Sequence, residues 1–361
     1  MVDLFKPYRI GELEIRNRFV RSATTSAWSD ENGIIRNEMI RYYEQLAEGG
    51  VGLIIKGHMY VDPRGKAHEG MAGIHDEAVV PRLTELTDAV HKRGGAIIAQ
   101  INFGGYQASA GERMGPSEFK GESWKSRAMT TREIWDVVDK FGAAAERAIK
   151  AGFDGVQIHA AHGYLVSEFL SKYANRRTDE WGGELRNRMR LLREIYLDIR
   201  GRLGPDAVIS MKINGDDFSE DGFTVEDSAQ VCHALASLGI SMIEVSGGGI
   251  GREDKYRERA RHSDPALDEP NFGGHCEKIR ATTRPKPLAL VNGFRTKTAM
   301  QTIVDRGIAD LISMSRPLIR EPDLVNNLKS GQEEASCLRC DACETEAVFG
   351  KAMLRCRVDN P

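Results

Sequence analysis

Apolar residues in this chain are bunched. Short runs rich in them recur at intervals: "RFVRSA" from residue 18, "GLIIKG" from 52, "AIIAQIN" from 96, "GVQIHA" from 155, "AVISMKIN" from 207, "MIEVSG" from 242, "PLALVNG" from 287 and "DLISMSR" from 310. The stretches between them carry a helical period and helical ends; Thr131 with Glu133 opens "IWDVVDKFGAAAERAIKAG", which closes at Gly152. Continuous apolar runs describe strands buried on both faces, and strands alternating with helices imply a parallel sheet. Eight strand–helix units close most naturally into a (β/α)8 TIM barrel, an α/β fold. A doubly wound sheet is the weaker alternative, because it ordinarily places a glycine fingerprint after its first strand and "RFVRSATTSAW" has none.

Two segments stand outside the alternation. "PYRIGELEIRN" reads as an N-terminal β-hairpin turning near Gly11 and Glu12, a plug under the barrel floor. Residues 103–130 hold five glycines and little periodicity, and a loop of that length is a candidate lid. The chain therefore divides into a barrel over 1–330 and a cysteine-rich C-terminal extension over 331–361.

Composition narrows the function classes. With 41% hydrophobic and 29% charged residues and a net charge of −3, the chain offers no field for a polyanion, so nucleic acid and acidic membrane surfaces are poor partners and a small molecule is the expected one. No run of 18 apolar residues and no basic-then-apolar leader is present, which points to the cytoplasm. Cysteine usage agrees, since the six cysteines form no secreted framework, yet Cys337, Cys340, Cys343 and Cys356 crowd into the last 25 residues.

The chemistry sits where the fourth apolar run ends. In a barrel of this kind, residues just beyond a strand face the active-site mouth, and here they are His159, His162 and Tyr164. Three readings are open: histidines satisfied within a strand–helix turn, metal ligands, or paired donors to a substrate oxygen with a phenolic acid beside them. A metal needs a third ligand, which the segment does not supply. The tyrosine favours the paired-donor reading.

The segment "HAAHGYLVSEFLSKYANRRTDEWGGELRNRMRLLREI" resembles the most characteristic stretch of the old yellow enzyme family of FMN-dependent NAD(P)H oxidoreductases. "LFKPYRIGELEIRNRFVRSA" at the start, "GPS" at 115–117, "EVSGG" at 244–248, "LVNGFRT" and "ADLISMSRPLIREPDL" resemble it in order and spacing. The resemblance covers nearly the whole chain and implies a flavin-bearing barrel. It implies that His159 and His162 hold a substrate carbonyl or nitro oxygen and that Tyr164 protonates the substrate carbon after hydride transfer. Ala23, Thr24 and Thr25 then border the flavin, Thr25 at its O4 and N5 edge, where some relatives carry a cysteine. Gln100 would meet the pyrimidine and Lys212 the N1 and O2 side, Gly57 with His58 would line the ring edge, and Asn292, Gly293, Ser315 and Arg316 would hold the phosphate. The glycine run at 247–251 is a further, weaker phosphate candidate.

Two departures concern substrate shape. After Gln100 the family's histidine and arginine are replaced, the chain reading Asn102, Phe103, Gly104, Gly105 and Tyr106, and Ala27 followed by Trp28 stands where some relatives place a substrate-facing tyrosine. "NRRTDEWGG" reads as structural, with Arg176, Arg177 and Asp179 fixing a turn.

The spacing C-x2-C-x2-C-x12-C can close around a cubane cluster or a zinc ion, or be chance. It resembles the [4Fe-4S] segment of trimethylamine dehydrogenase and, with one residue shifted, of 2,4-dienoyl-CoA reductase. Those relatives continue into nucleotide-binding domains, so a cluster here is expected to exchange electrons with a separate protein. The expectation is thus an ene-reductase using FMN and NAD(P)H, with the FMN/[4Fe-4S] core of an amine or dienoyl-CoA oxidoreductase, or an electron-transfer subunit, as alternatives. The resemblance also implies a homo-oligomer.

Overall fold

The computed structural model describes residues 1–109, 111–120, 124–219, 221–248, 272–343, 345, 348 and 350–358. The eight apolar runs are the eight strands of a closed barrel: Phe19–Arg21, Leu53–Tyr60, Ala96–Asn102, Val156–Ala160, Ile209–Asn214, Met242–Ser246, Leu288–Val291 and Leu311–Met314. Each pairs in parallel with its neighbour in the chain, and the eighth closes on the first.

The barrel interior is stacked in layers, because side chains two residues apart on a strand point the same way. The lowest layer is apolar: Val20, Leu53, Ile55, Ala96, Ile98, Val208, Met242, Ala289 and Leu311 pack with Ile10 and Ile15. These two isoleucines belong to the antiparallel hairpin Tyr8–Ile10 and Leu13–Ile15, whose turn is made by Gly11 at φ +59°, so the plug lies where the sequence placed it. Further along the strands stand Ser22, Gln100, Gln157, Lys212, Glu244 and Ser313, and two residues beyond four of these Asn102, His159, Asn214 and Ser246. Polarity therefore rises layer by layer towards the C-terminal mouth.

Two expectations need correction. The helix after the lid, Thr131–Lys150, is capped by Thr130, one residue earlier than expected, in a full capping box with Glu133. The lid itself is partly ordered as a three-stranded sheet of Met114–Gly115, Lys125–Ala128 and Phe119–Lys120, its short strands being too brief for any period to register. The extension is joined to the body: Leu354 is buried in the main core, with Cys343 and Cys356 packed against it. Among the described residues no helix is long and apolar enough to cross a membrane.

Candidate active site

The middle layer is a continuous polar chain. Gln100 Nε2 donates to Gln157 Oε1 at 2.7 Å, Gln157 Nε2 donates to Glu244 Oε2 at 3.1 Å, and the Ser313 hydroxyl donates to Glu244 Oε1 at 2.6 Å. Lys212 Nζ lies 3.3 Å from Glu244 Oε2 and donates to Ser22 Oγ at 2.8 Å. Lys212 and Glu244 are 2% and 0% exposed, which makes this a desolvated ion pair. Burial lowers the Lys212 ammonium below its ordinary pKa, and the Glu244 carboxylate opposes that shift. Gln100 and Lys212 were expected at a flavin edge; their partners Gln157 and Glu244 were not singled out, although each falls at the inward period-two position of its run.

The top layer holds the histidines. The fourth strand ends at Ala160, the chain turns through His162 at φ +62° and Gly163 at φ +69°, and Tyr164 then precedes the helix Leu165–Leu170. His162 is fixed at both ends, its backbone N–H donating to Asn214 Oδ1 at 3.1 Å and its Nε2 lying 2.7 Å from Ser246 Oγ. The His159 ring is 5.2 Å from that of His162 and nearly perpendicular to it, and 4.9 Å from the Tyr164 ring. His58 completes the group, 5.0 Å from Tyr164 and 5.8 Å from His159. The Asn102 amide donates to His58 Nδ1 at 2.8 Å, so the His58 proton resides on Nε2, 3.4 Å from Thr25 Oγ1.

The imidazoles are neutral at pH 7. Burial first, and neighbouring imidazoles and lysines second, hold His58 and His159 well below the ordinary histidine pKa, and burial with Lys212 brings His162 down to about 3. Two buried polar atoms of this layer, His159 Nδ1 and Asn102 Oδ1, have no hydrogen-bond partner among the described residues. A buried donor or acceptor left unpaired is costly, and at a barrel mouth a ligand is its natural partner.

The remaining expected residues gather around the same rim. Arg21 Nη1 donates to Thr24 Oγ1 at 2.6 Å, and Thr24 Oγ1 lies 2.7 Å from Ser315 Oγ, tying the first strand's loop to the eighth's. Ala23 packs against the apolar floor cluster. Gly57 is required by close approach, since a Cβ there would lie 2.4 Å from Thr24 N. After the seventh strand, Asn292 and Gly293 take φ +81° and +94°, and Arg316 Nη2 donates to Asn292 Oδ1 at 3.2 Å, so Asn292, Gly293, Ser315 and Arg316 stand together. Of the glycine run, Gly247 and Gly248 are described, and Gly249 to Gly251 lie outside the described residues.

The departures find a structural account. Tyr106 is buried, its hydroxyl donating to the Ser117 carbonyl at 2.8 Å with the Ala174 carbonyl 3.2 Å away, and its backbone N–H donating to Glu168 Oε1 at 2.6 Å, so it anchors the loop that follows the third strand. Glu168 is fully buried, and burial pushes its carboxyl well above the usual carboxylate range. Trp28 belongs to the core, edge-on to Tyr42 at 5.1 Å. Arg177 grips Asp179 through Nε and Nη2 and also donates to the carbonyls of Pro116 and Met129, so the "NRRTDEWGG" turn holds the lid's base.

Cys337, Cys340, Cys343 and Cys356 line one shallow cleft, with Arg316, Arg320 and Arg339 around it. Arg320 Nη1 donates to Cys356 Sγ at 3.3 Å. Among the described residues, no three or more histidine, cysteine, aspartate or glutamate side chains converge tightly enough for a single metal ion.

Comparison with known proteins gives a match to the family described as NADH:flavin oxidoreductase / NADH oxidase over residues 3–335. The chain is 33% identical over 371 residues to an NADH oxidase of Thermoanaerobacter brockii, covering 99% of this chain and 56% of that protein, so it spans little more than half of that relative. It is 36% identical over 331 residues to an NADPH dehydrogenase of Halalkalibacterium halodurans, covering 88% of this chain and 91% of the relative. A solved complex of 2-naphthoyl-CoA reductase with 2-naphthoyl-CoA superposes with a TM-score of 0.89 at 27% identity, over 98% of this chain and 56% of that one. The old yellow enzyme homologue of Zymomonas mobilis does so with a TM-score of 0.78 at 27% identity, over 98% and 100%. By the span of the family match and by these likenesses, the chain belongs to the NADH:flavin oxidoreductase / NADH oxidase family, the old yellow enzyme family.

Proposed function

We propose that the protein is an FMN-dependent NAD(P)H oxidoreductase that reduces the carbon–carbon double bond of an electron-poor alkene such as an α,β-unsaturated carbonyl. The observation that carries this reading is His159 Nδ1, buried beside His162 and Tyr164 with no hydrogen-bond partner among the described residues. The residues around it suit the flavin: buried amides and an ammonium in the middle layer, a glycine whose Cβ would block the Thr24 loop, and a left-handed turn beside Arg316. Gln100 and Lys212 would hold the pyrimidine, Ala23, Thr24, Thr25 and Gly57 the ring edge, and Asn292, Gly293, Ser315 and Arg316 the phosphate. FMN held by these residues would supply the hydride chemistry that links NAD(P)H to the alkene.

The chain's own groups do the rest. Neutral imidazoles donate hydrogen bonds without carrying charge into a dry site, so His159 and His162 stabilise the oxygen on which negative charge develops. The Ser246 hydroxyl, 2.7 Å from His162 Nε2, can accept from or donate to that nitrogen; when it donates, the His162 proton stands on Nδ1. Tyr164 gives its phenolic proton to the α-carbon. Replacing Tyr164 by Phe removes that proton while keeping the ring. The expected outcome in stopped-flow is an oxidative half-reaction slowed about 10²–10⁴-fold and a flavin-reduction half-reaction left unchanged. Equal slowing of both would remove Tyr164 from this role.

A second reading is favoured by the four thiols around one cleft. Four thiolates at this spacing can close around a zinc ion or around a cubane cluster. On this reading Cys337, Cys340, Cys343 and Cys356 hold a [4Fe-4S] cluster, and the chain is a two-centre core acting on amines or CoA thioesters, or serving a separate electron-transfer protein. Protein purified without oxygen should then hold about four irons per flavin. Flavin without iron, with steady enone turnover, would leave the stand-alone reductase.

A further inference from the structure

The cysteine segment touches the barrel at the turn assigned above to the flavin phosphate. Arg339 and Asp341, on either side of Cys340, both adopt φ +54°, a left-handed conformation that costs a non-glycine residue free energy and persists only when its surroundings hold it. Their side chains supply that hold. The Arg339 guanidinium donates through Nη2 to the Gly293 carbonyl, and Asp341 Oδ1 accepts from Arg316 Nη1. Arg316 is thus gripped through both terminal nitrogens, by Asp341 on one side and by Asn292 Oδ1 at 3.2 Å on the other. Arg316 and Asp341 are each only 16% exposed, so water competes weakly for this contact.

We propose that Asp341 is a positioning residue for the phosphate anchor: it fixes the plane of the Arg316 guanidinium, while Arg339 steadies the Gly293 turn beside it. The proposal rests on the reading that Asn292, Gly293, Ser315 and Arg316 bind the phosphate of FMN. A guanidinium already held in one plane loses less rotamer freedom when an anion arrives than a swinging one, and that saving appears as affinity. A carboxylate near a bound phosphate also repels it, so the sign of the effect decides between positioning and mere neutralisation. Asp341 lies outside residues 3–335 matched by the family, which makes the device a property of the cysteine segment.

The test compares FMN with riboflavin, which lacks the phosphate, on flavin-stripped full chain, by quenching of flavin fluorescence. Wild type should favour FMN. Asp341→Asn should weaken FMN binding about tenfold, a 1.4 kcal/mol change, with riboflavin affinity held within about twofold, and Asp341→Glu should restore part of the loss. Tighter FMN binding by Asp341→Asn would overturn the proposal, because the carboxylate would then only repel the phosphate. Equal weakening of both flavins would overturn it too, since a loosened tail does not distinguish them. An Arg316→Gln variant with the wild-type preference for FMN would overturn the phosphate assignment itself, and the proposal with it.

Discussion

The barrel mouth and the cysteine segment hold their polar groups by opposite means. At the mouth, His58, His159 and Tyr164 are at most 6% exposed, the imidazoles are neutral because charge would be desolvated, and both stand on barrel strands, His159 in register with Lys212 and His58 at the irregularity between Lys56 and Met59, where the Asn102 amide holds it. In the cysteine segment the groups are partly exposed, regular secondary structure is absent from Cys337 to Cys343, and the segment is held to the barrel through side chains, Arg316 and Arg320 donating to Asp341 and Cys356 and Arg339 donating back to the Gly293 carbonyl. A site carried by strands is rigid before any ligand binds, whereas a site carried by side-chain ion pairs depends on those pairs. The two regions should therefore respond differently to the loss of a single charge.

The largest effect is expected in the barrel. Glu244→Leu leaves the Lys212 ammonium buried beside the Ser22 hydroxyl without its carboxylate, and breaking a buried pair in this way costs about 3–5 kcal/mol. Urea unfolding should show the loss, and the double variant Glu244→Leu with Lys212→Met should recover much of it, because the stranded charge is then gone. A single variant within about 0.5 kcal/mol of wild type would mean that water reaches the middle layer, and the comparison would fail.

Much of the barrel was legible in the sequence. All eight strands show as apolar runs because strands covered on both faces must be apolar, and the hairpin shows through the glycine at its turn. The polar chain through Gln157 and Glu244 was legible in principle, since both stand at inward period-two positions within apolar runs, yet a polar residue inside such a run is as readily taken for an interruption. The contacts of His58 with Thr25 and Asn102 were hidden, because they join three strands and appear only on closure of the barrel. Least legible were Arg339 and Asp341. Their partners lie 46 and 25 residues away, and nothing local in "CLRCDAC" indicates the left-handed backbone that turns them back.

A smaller effect separates the regions by pH. An imidazole with a folded pKa below its unfolded value binds fewer protons folded than unfolded, so its stabilising effect is complete above about 6.5 and is lost as pH falls. For His162 the window runs from about 6.5 down to about 3, and His58 and His159 act in the same direction. Glu168, whose carboxyl is pushed up by burial, acts in the opposite sense at acid pH, so the variant difference isolates the imidazole better than the raw slope. Denaturation midpoints should fall between pH 7 and pH 5 in wild type and fall less in His159→Asn. Identical slopes would mean that His159 is already solvated in the folded state.

The smallest effect belongs to the cysteine segment and completes the contrast. Arg320 donates through Nη1 to Cys356 Sγ at 3.3 Å and through Nε to Ser336 Oγ at 3.0 Å, and its side chain is partly exposed. Methionine keeps much of the stem and removes the charge, so Arg320→Met should change global stability by about 1 kcal/mol or less. Limited proteolysis should nevertheless cut the extension faster, because residues without secondary structure are protected by such contacts rather than by a hydrogen-bonded ladder. Leu354, buried in the main core, sets the bound on how far the segment can loosen, and a Leu354→Ala variant should release more of it than Arg320→Met does. If instead Arg320→Met destabilised the whole protein as much as Glu244→Leu, the segment would be part of the cooperative core and the distinction between the two regions would disappear.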